Sequence, residues 1–315
     1  MPPPFRFTAS MPALNRPPTQ WRDDVRRIED LGFSSVAISD HLGGGWAMDP
    51  IVAMTVAAEA TSRLRVLAMV FCNDLRHPAM LHKSMANLDV FSGGRVEIGL
   101  GAGWMRADYD AVGRTFDPPA VRVARLAEAV ELIAALFDDK PVTFVGRHYR
   151  VTDLDGLPKP VQRPRPPLVV GGGGRLVLEL AGRAADIVGV NPRLAPGVER
   201  GRAVAELSAP RLAVKVDWAR TAARAAGRDP GRLEFQLSIL DLRVTHRGIT
   251  HRATSSLAAL ASDDDLAASP AVLHGSVDQC VDRLVEVRER YGVSYLHLGS
   301  NLDAAAPIVA RLAGR

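Results

Sequence analysis

The sequence contains little cysteine and little lysine. Its two cysteines, Cys72 and Cys280, are far apart and form no CxxC pair, so a disulfide framework and a metal site are not expected. Lysine occurs four times in 315 residues, and the net charge of +4 therefore comes mainly from scattered arginines. Since there is no basic run and aromatic content is 5%, nucleic acid is not an expected partner.

Long apolar runs are also missing. No window reaches 18 uninterrupted apolar residues, and the N-terminus lacks the basic and apolar regions of a signal peptide. We therefore expect a soluble, cytoplasmic protein without a membrane partner. Apolar residues make up 47% and charged residues 23%, as in ordinary globular proteins. A length of 315 residues suits a (β/α)8 barrel that carries an insertion.

Strand and helix patterns alternate along the chain. Asp49 followed by Pro50 predicts an N-cap and the first residue of a helix that runs to residue 60. Strands that are apolar on both faces, separated by helices, are typical of a parallel sheet covered by helices. The predicted strands are 5–9, 35–39, 64–71, 95–100, 168–170, 186–190, 234–242 and 294–298. Eight such units predict a closed (β/α)8 TIM barrel.

Two segments do not follow this alternation. Residues 138–166, rich in Pro, Gly and Asp, are predicted as a long excursion before the fifth strand. Residues 193–270 contain one helix candidate, 210–226, and a polar, alanine-rich stretch. We predict that 193–270 is an irregular insertion at the C-terminal face of a single domain covering 1–315.

Four consecutive glycines, 171–174, lie between the fifth strand and a helix. They do not match a dinucleotide fingerprint, because the run does not continue as G-x-G-x-x-G and lies in mid-chain. They do not match a Walker loop, because Gly-Lys-Ser/Thr is absent. Two interpretations remain open: a tight structural turn, or an anion site in which backbone N–H groups and a helix N-terminus hold a phosphate.

Further candidate residues follow other strands. Asp40 and His41 end the second strand, where a histidine can move protons, although such pairs also serve as caps or packing. A second glycine-rich turn, "GLGAGW", begins at Gly99 at the end of the fourth strand. Glu97 is an acid in an apolar strand, and we predict that it is paired inside the barrel.

Several segments together resemble the luciferase-like monooxygenase superfamily, in particular its branch that depends on the deazaflavin coenzyme F420. The segments are "SDHL" (39–42), "RHPAMLHKSMANLDVFSGGRVEIGLGAGW" (76–104), "DYDAVG" (108–113), "FDPPAVRVARLAEAVELI" (116–133), "LPKPVQRPRPPLVVGGGG" (157–174) and "RAADIVGVN" (183–191). Residues 273–298 are similar to the closing helix and strand of an uncharacterised actinobacterial subgroup. The resemblance implies a luciferase-like TIM barrel with insertions and covers most of the chain outside 193–270.

The resemblance also implies a set of site residues. A non-proline cis peptide is expected at Met69–Val70, against the ring system of the cofactor. His41 matches the histidine used as proton donor or base, and Asp40 matches the acid beside the polar edge of the ring. The glycines after the fifth strand match phosphate contacts. The cofactor-binding residues implied in this way are Asp40, Met69, Val70, Cys72, Ala102, Gly103, Gly172, Gly173 and Gly174.

One position departs from the F420-dependent sugar-phosphate dehydrogenases that the chain resembles. Those enzymes have a glutamate after the GxGxG turn, and here the residue is Trp104. A sugar-phosphate substrate is therefore not expected. Trp104 and Trp46 instead predict an aromatic-lined substrate pocket, with core packing as the alternative.

The function implied is an F420-dependent oxidoreductase that transfers a hydride between the deazaflavin and a small organic molecule, with His41 as proton relay. One alternative is an FMN-dependent monooxygenase that uses reduced flavin and O2. Another is a non-catalytic barrel that binds a flavin. The resemblance also implies a homodimer, formed through the helices at 50–60 and 79–91.

Overall fold

A parallel β-barrel surrounded by helices is the framework of the computed structural model, which describes residues 3–194 and 200–315. The strands are β1 (Arg6–Ser10), β2 (Ser35–Ile38), β3 (Arg65–Ala68), β4 (Phe71–Cys72), β5 (Val96–Gly101), β6 (Val142–Val145), β7 (Arg150–Leu154), β8 (Leu168–Gly172), β9 (Ile187–Val190), β10 (Glu234–Ser238), β11 (Asp241–His246), β12 (Ile249–Thr254), β13 (Val272–Ser276) and β14 (Val293–His297). The helices are α1 (Pro18–Asp30), α2 (Pro50–Ala60), α3 (Pro78–Phe91), α4 (Arg106–Ala111), α5 (Pro119–Leu136), α6 (Arg175–Ala184), α7 (Ala209–Ala225), α8 (Asp263–Ala268), α9 (Val277–Tyr291) and α10 (Leu302–Leu312).

Eight strands form the barrel in the order β1, β2, β3, β5, β8, β9, β10 and β14. Each neighbouring pair is parallel, and pairing of β14 with β1 and of β3 with β5 closes the ring. The predicted (β/α)8 barrel is confirmed. Among the described residues, no helix is both long and apolar enough to span a lipid bilayer.

Local signals set several element boundaries as predicted. The Asp49 carboxylate accepts hydrogen bonds from the backbone N–H groups of Ile51 (2.9 Å) and Val52 (3.1 Å), and α2 begins at Pro50. A carboxylate at this position satisfies N–H groups that have no partner within the helix. The helix therefore starts at the residue that the sequence indicates.

The predicted strand 64–71 is divided in the structure. β3 ends at Ala68 and β4 begins at Phe71, and the peptide bond between Met69 and Val70 is cis, as the resemblance implies. β4 continues the pairing along β5, with Phe71 opposite Leu100. The interruption therefore lies at the C-terminal end of the third barrel strand, at the mouth of the barrel.

The segment 193–270 contains more regular structure than the sequence indicates, and its residues 195–199 lie outside the described ones. α7 is a barrel helix that packs closely on α6, where a Cβ on Gly182 would meet the backbone of Ala219. The predicted strand 234–242 is divided, because β10 ends at Ser238 in the barrel and β11 begins at Asp241 in a second sheet. The predicted excursion 138–166 likewise contains an antiparallel hairpin, β6–β7.

The second sheet has three strands, in which β11 pairs antiparallel with β12 and parallel with β13. Its anchor is the buried Asp241 carboxylate, which accepts hydrogen bonds from Thr254 Oγ1 (2.6 Å) and His274 Nε2 (2.8 Å) and pairs with Arg243 (2.9 Å). A buried carboxylate needs such partners to offset the cost of leaving water. This sheet follows the seventh barrel strand and packs against α10 and α9.

Charged residues fill the barrel interior near the N-terminal ends of the strands. The fully buried Glu97 pairs with Arg6 and with Arg65 Nε (2.7 Å), and it accepts a hydrogen bond from Tyr295 Oη (3.0 Å). Burial alone would disfavour the charged carboxylate, but the two guanidinium groups hold the pKa of Glu97 below its usual value. The predicted paired, structural role of Glu97 is confirmed, and this end of the barrel is closed by an ionic layer.

Candidate functional site

The candidate site residues gather at the opposite end of the barrel. Asp40 and His41 follow β2, the cis peptide follows β3, and two glycine-rich turns follow β5 and β8. We name these the GAG turn (101–103) and the GGGG turn (171–174). In a closed parallel barrel the carboxyl ends of all strands meet at one rim, the usual place for a ligand site.

Asp40 joins the ends of the second and third strands. Its buried Oδ2 accepts a hydrogen bond from the backbone N–H of Cys72 (3.0 Å) and pairs with Arg76. Arg76 also pairs with Asp49 at the start of α2 (2.9 Å). Among the described residues, the second oxygen, Oδ1, has no hydrogen-bond partner. The buried carboxylate is therefore held by protein groups through one oxygen only.

His41 is held by a carboxylate that sequence reasoning did not assign. Its Nδ1 lies 2.7 Å from Asp108 Oδ2, and Asp108 Oδ1 accepts the backbone N–H of Leu42 (3.0 Å). A carboxylate can only accept, so Nδ1 carries the hydrogen of this bond. In the neutral ring Nε2 is then a free acceptor, and it has no partner in the part of the chain that the structure describes. This is the arrangement in which a histidine can take up or release a proton at Nε2.

Two tryptophans enclose the His41 ring. Trp46 stacks on the imidazole with ring centroids 5.2 Å apart, and Trp104 meets it edge-on at 5.6 Å. Trp46 is 48% exposed and Trp104 41% exposed, so neither is a core residue. The structure brings both candidate pocket residues onto the candidate catalytic histidine and leaves their indole surfaces open to a ligand.

The GAG turn has one position, Gly103, that only glycine fits. Gly103 has φ +76°, and a Cβ there would lie 2.9 Å from Cys72 Sγ and would overlap Tyr109 Oη. Arg122, itself buried, donates to the carbonyl of Ala102 (3.1 Å) and to that of Gly103. In a trans peptide unit the C=O and N–H groups point in opposite directions. The N–H groups of Gly103 and Trp104 therefore face away from Arg122, and neither donates a hydrogen bond to another described residue.

The Cys72 side chain belongs to a buried polar cluster behind this turn. Its Sγ lies 3.6 Å from Tyr109 Oη, which donates to Asp74 Oδ2 (3.0 Å), and Arg125 pairs with the same oxygen (2.6 Å). Burial raises the pKa of the Cys72 thiol and that of the Tyr109 hydroxyl, so both stay protonated at neutral pH. The thiol is thus a packing group, and its nucleophilic form is suppressed.

Three glycines of the GGGG turn, Gly172 to Gly174, differ in the space around them. A Cβ at Gly172 would overlap Val177, and one at Gly173 would lie 2.3 Å from the carbonyl group of Pro192. A Cβ at Gly174 would meet no atom within 4 Å. Gly174 is also the N-cap of α6 and offers no side-chain cap. The first turn of α6 is therefore open in front of its free N–H groups, which is where an anion binds most readily.

Val70 lies between the two glycine turns. A Cβ at Gly101 would lie 2.5 Å from Val70 Cγ2, and one at Gly171 would lie 3.0 Å from Val70 Cγ1. Val70, in the cis peptide with Met69, is only partly buried. The two glycines therefore make room for the Val70 side chain at the rim. A partly exposed apolar side chain beside the open start of α6 is compatible with a flavin-type cofactor, whose ring is apolar and whose phosphate is an anion.

A second histidine lies at the same rim and was not singled out in the sequence. His297 ends β14, and its Nε2 lies 2.9 Å from Ser10 Oγ at the end of β1. Burial lowers the pKa of His297 to about 4, which keeps the ring neutral. The sequence signal for His297 is its position at the end of the eighth barrel strand. For Asp108 the signal is its place in the DYDAVG motif, but the contact with His41 spans 67 positions.

The fold is a (β/α)8 barrel whose candidate site residues lie together at the C-terminal rim. The model of the luciferase-like monooxygenase family matches residues 4–294 of the chain. The chain belongs to the luciferase-like monooxygenase family.

Curated relatives share part of the chain. An F420-dependent glucose-6-phosphate dehydrogenase from Kineococcus radiotolerans is 35% identical over 54% of this chain and 51% of its own length. An FMNH2-dependent dimethylsulfone monooxygenase from Pseudomonas putida is 29% identical over 58% of this chain and 52% of its own length. The chain therefore spans about half the length of the curated relatives it matches.

Solved structures share the whole fold. The coenzyme F420-dependent tetrahydromethanopterin reductase from Methanopyrus kandleri superimposes with a TM-score of 0.77 at 19% identity, covering 98% of this chain and 97% of the other. At this identity the likeness concerns the fold.

Proposed function

We propose that this protein is an oxidoreductase that uses coenzyme F420 and exchanges a hydride with a small organic substrate. The observation that carries the proposal is the His41–Asp108 pair at the same barrel rim as the two glycine turns. The F420-dependent enzymes among the relatives support the choice of cofactor.

Each part of the rim has a role in this proposal. When bound, the reduced deazaflavin supplies a hydride from the carbon that replaces N5 of a flavin. Gly172, Gly173 and Gly174 hold the phosphate, and the N–H groups after Ala102 and Gly103 contact the ring. Asp40 faces the polar edge of the ring through its free Oδ1. Met69, Val70 and the backbone at Cys72 support the ring face.

His41 relays the proton that must accompany hydride transfer. Asp108 keeps the hydrogen on Nδ1, so that Nε2 accepts a proton from an alcohol or, once protonated, donates one to a reduced substrate. Trp46 and Trp104 fix the ring orientation and exclude water from one side of it. The carboxylate also stabilises the imidazolium form that exists between the two transfers.

The substrate class follows from the same two tryptophans. Their exposed indole faces favour an apolar or aromatic molecule with a reducible C=C or C=N bond, or an oxidisable alcohol. A sugar phosphate is less suited, because Trp104 occupies the position at which the dehydrogenases that the chain resembles have a glutamate.

The decisive experiment is equilibrium binding of F420 and of FMN to the purified protein, measured side by side. We expect tighter binding of F420, followed by anaerobic oxidation or reduction of the deazaflavin with a panel of alcohols and enones. His41→Ala should abolish turnover and retain cofactor binding. Clear preference for FMN would overturn the choice of cofactor, and full turnover by His41→Ala would overturn the proton relay.

An FMN-dependent monooxygenase is the second candidate, and the FMNH2-dependent relative supports it. A phosphate held by the GGGG turn serves both cofactors equally, so this feature cannot separate them. Stoichiometric O2 consumption with reduced FMN, coupled to oxygenation of a substrate, would favour this candidate over the first.

A homodimer is part of the proposal, as is a location in the cytoplasm. α2 and α3 form a groove of about 400 Å³, lined by side chains that include Ile51, Met80 and Phe91. Met80 is 65% exposed and Phe91 74% exposed, an unusual exposure for large apolar side chains on adjacent helices. Burying these side chains against a second copy would remove the patch from water.

Sedimentation velocity of Phe91→Glu tests the dimer, with Leu260→Glu as the matched control, because Leu260 is equally exposed but lies elsewhere. We expect a dimer for the parent and the control and a monomer for Phe91→Glu. A dimer in all three would place the interface elsewhere. A monomeric parent would remove the dimer from the proposal.

A further inference from the structure

Lys215 is one of the four lysines of the chain and the one that is buried, with 2% of its surface exposed. It lies on α7, and its Nζ donates to the carbonyl oxygens of Gly173 (2.6 Å) and Asn191 (3.2 Å). Its third partner is Glu206 Oε2, at 3.4 Å. A lysine is rarely buried to this extent unless its charge is paired and its hydrogen bonds are satisfied.

The contacts of Lys215 join two loops at the barrel rim. Gly173 belongs to the GGGG turn after β8, and Asn191 follows β9. The two loops already touch, because a Cβ on Gly173 would lie 2.3 Å from the Pro192 carbonyl group. The ammonium group lies behind both loops and draws their carbonyl oxygens inward.

The orientation of one peptide unit follows from this contact. The carbonyl of Gly173 and the N–H of Gly174 belong to the same trans unit and point in opposite directions. Since the carbonyl faces Lys215, the N–H of Gly174 points away from Lys215, and a Cβ on Gly174 would meet no atom within 4 Å. The GAG turn has the same arrangement, because Arg122 binds its carbonyls and the N–H groups of the same peptide units point away from Arg122.

We propose that Lys215 is a positioning residue that orients the GGGG turn for the phosphate of the cofactor and adds a positive charge behind it. The inference rests on the proposed cofactor site, and it attributes the selectivity of that site for a phosphorylated cofactor to Lys215. Lys215 does not touch the phosphate itself, because its three donors are directed to protein oxygens.

The charges around Lys215 favour an anion in front of the turn. Glu206 pairs with Lys215 through Oε2, and its Oε1 accepts a hydrogen bond from Arg211 Nη1 (3.0 Å). Arg193 adds a further positive charge near the ammonium group. Three cationic side chains and one carboxylate thus leave a net charge of +2 around the ammonium group. Burial lowers the pKa of Lys215, and Glu206 opposes this shift.

The test compares binding of each cofactor with and without its phosphate. Parent, Lys215→Met and Lys140→Met are titrated with FMN and riboflavin, and with F420 and its chromophore lacking the phosphate ester. Lys140 is an exposed lysine and serves as the matched control. If Lys215→Met does not fold, Lys215→Gln replaces it, since its amide can still donate to one carbonyl.

We expect Lys215→Met to weaken binding of the preferred phosphorylated cofactor about 10- to 100-fold, as for the loss of a charge-assisted contact. The affinity for the dephosphorylated form of the same cofactor should stay unchanged. The control should match the parent. Equal weakening of both forms, or no weakening, would overturn the role of Lys215. A parent that binds phosphorylated and dephosphorylated forms equally would instead overturn the proposed phosphate site.

Discussion

Gly173→Ala and Gly174→Ala form a matched pair that separates packing from ligand binding in the GGGG turn. A Cβ at Gly173 would lie 2.3 Å from the Pro192 carbonyl group and 2.4 Å from the backbone nitrogen of Arg193. Backbone atoms cannot rotate away as a side chain can, so the two loops must separate. At Gly174 nothing lies within 4 Å, and its φ of −92° is accessible to alanine.

The size of each effect follows from these distances. Overpacking at Gly173 should cost about 1–3 kcal/mol of unfolding free energy. Exchanging an N-cap glycine for alanine should cost about 0.5–1 kcal/mol. For a chain of this length the unfolding entropy is about 0.7 kcal/mol per kelvin, so these costs correspond to roughly 2–5 °C and about 1 °C in Tm. Both variants should lose affinity for the phosphorylated cofactor, because Gly173→Ala displaces the turn and Gly174→Ala places a methyl group before the free N–H groups.

The assay is a thermal melt of each variant without cofactor, followed by fluorescence titration with FMN and F420. The expected pattern is a lower Tm mainly for Gly173→Ala and weakened binding for both. A Gly173→Ala variant with the Tm of the parent would refute the close approach of the two loops. A Gly174→Ala variant with the affinity of the parent would refute the anion site at α6.

Three further predictions concern single side chains. Asp108→Asn should lower kcat about 10- to 100-fold, because a hydrogen bond to a charged group is lost, and should leave the Kd of the cofactor unchanged. Stopped-flow kinetics measure both quantities. An equal loss of cofactor affinity would contradict the role of Asp108 in positioning His41. Burial lowers the pKa of His82 to about 4 in the folded protein, so the unfolded chain binds more protons as pH falls from 7 to 5, and stability should fall by about 2 kcal/mol from this residue. Urea unfolding at the two pH values should show a shallower pH dependence for His82→Gln, and identical dependences would refute the assignment. Burial raises the pKa of both thiols, that of Cys280 to about 11. A disulfide reagent at pH 8 should therefore label Cys72 and Cys280 slowly in the native protein and rapidly in urea, with labelling followed by absorbance. Fast labelling of the native protein would contradict this prediction.

Local patterns predicted most of the framework. The helix that begins at Pro50 and the paired Glu97 were both predictable, because capping and the cost of a buried charge act within a few residues or within one strand. Hydrophobic pattern does not separate two strands that follow one another directly. The predicted strand 234–242 is two strands in two sheets, and the apolar residues continue across Ser238, where the first strand ends.

The amino-acid sequence by itself determined the alternation of strands and helices, hence the barrel, and the placing of glycines, aspartate and histidine at the carboxyl ends of the strands. These features depend on spacing along the chain. Only the tertiary structure decided which side chains meet. Asp108 reaches His41 across 67 positions and Lys215 reaches Gly173 across 42. Such contacts depend on how α4 and α7 pack over the rim. Hydrophobic periodicity predicts which face of a helix is buried, but it does not predict which polar side chain the helix brings to the site.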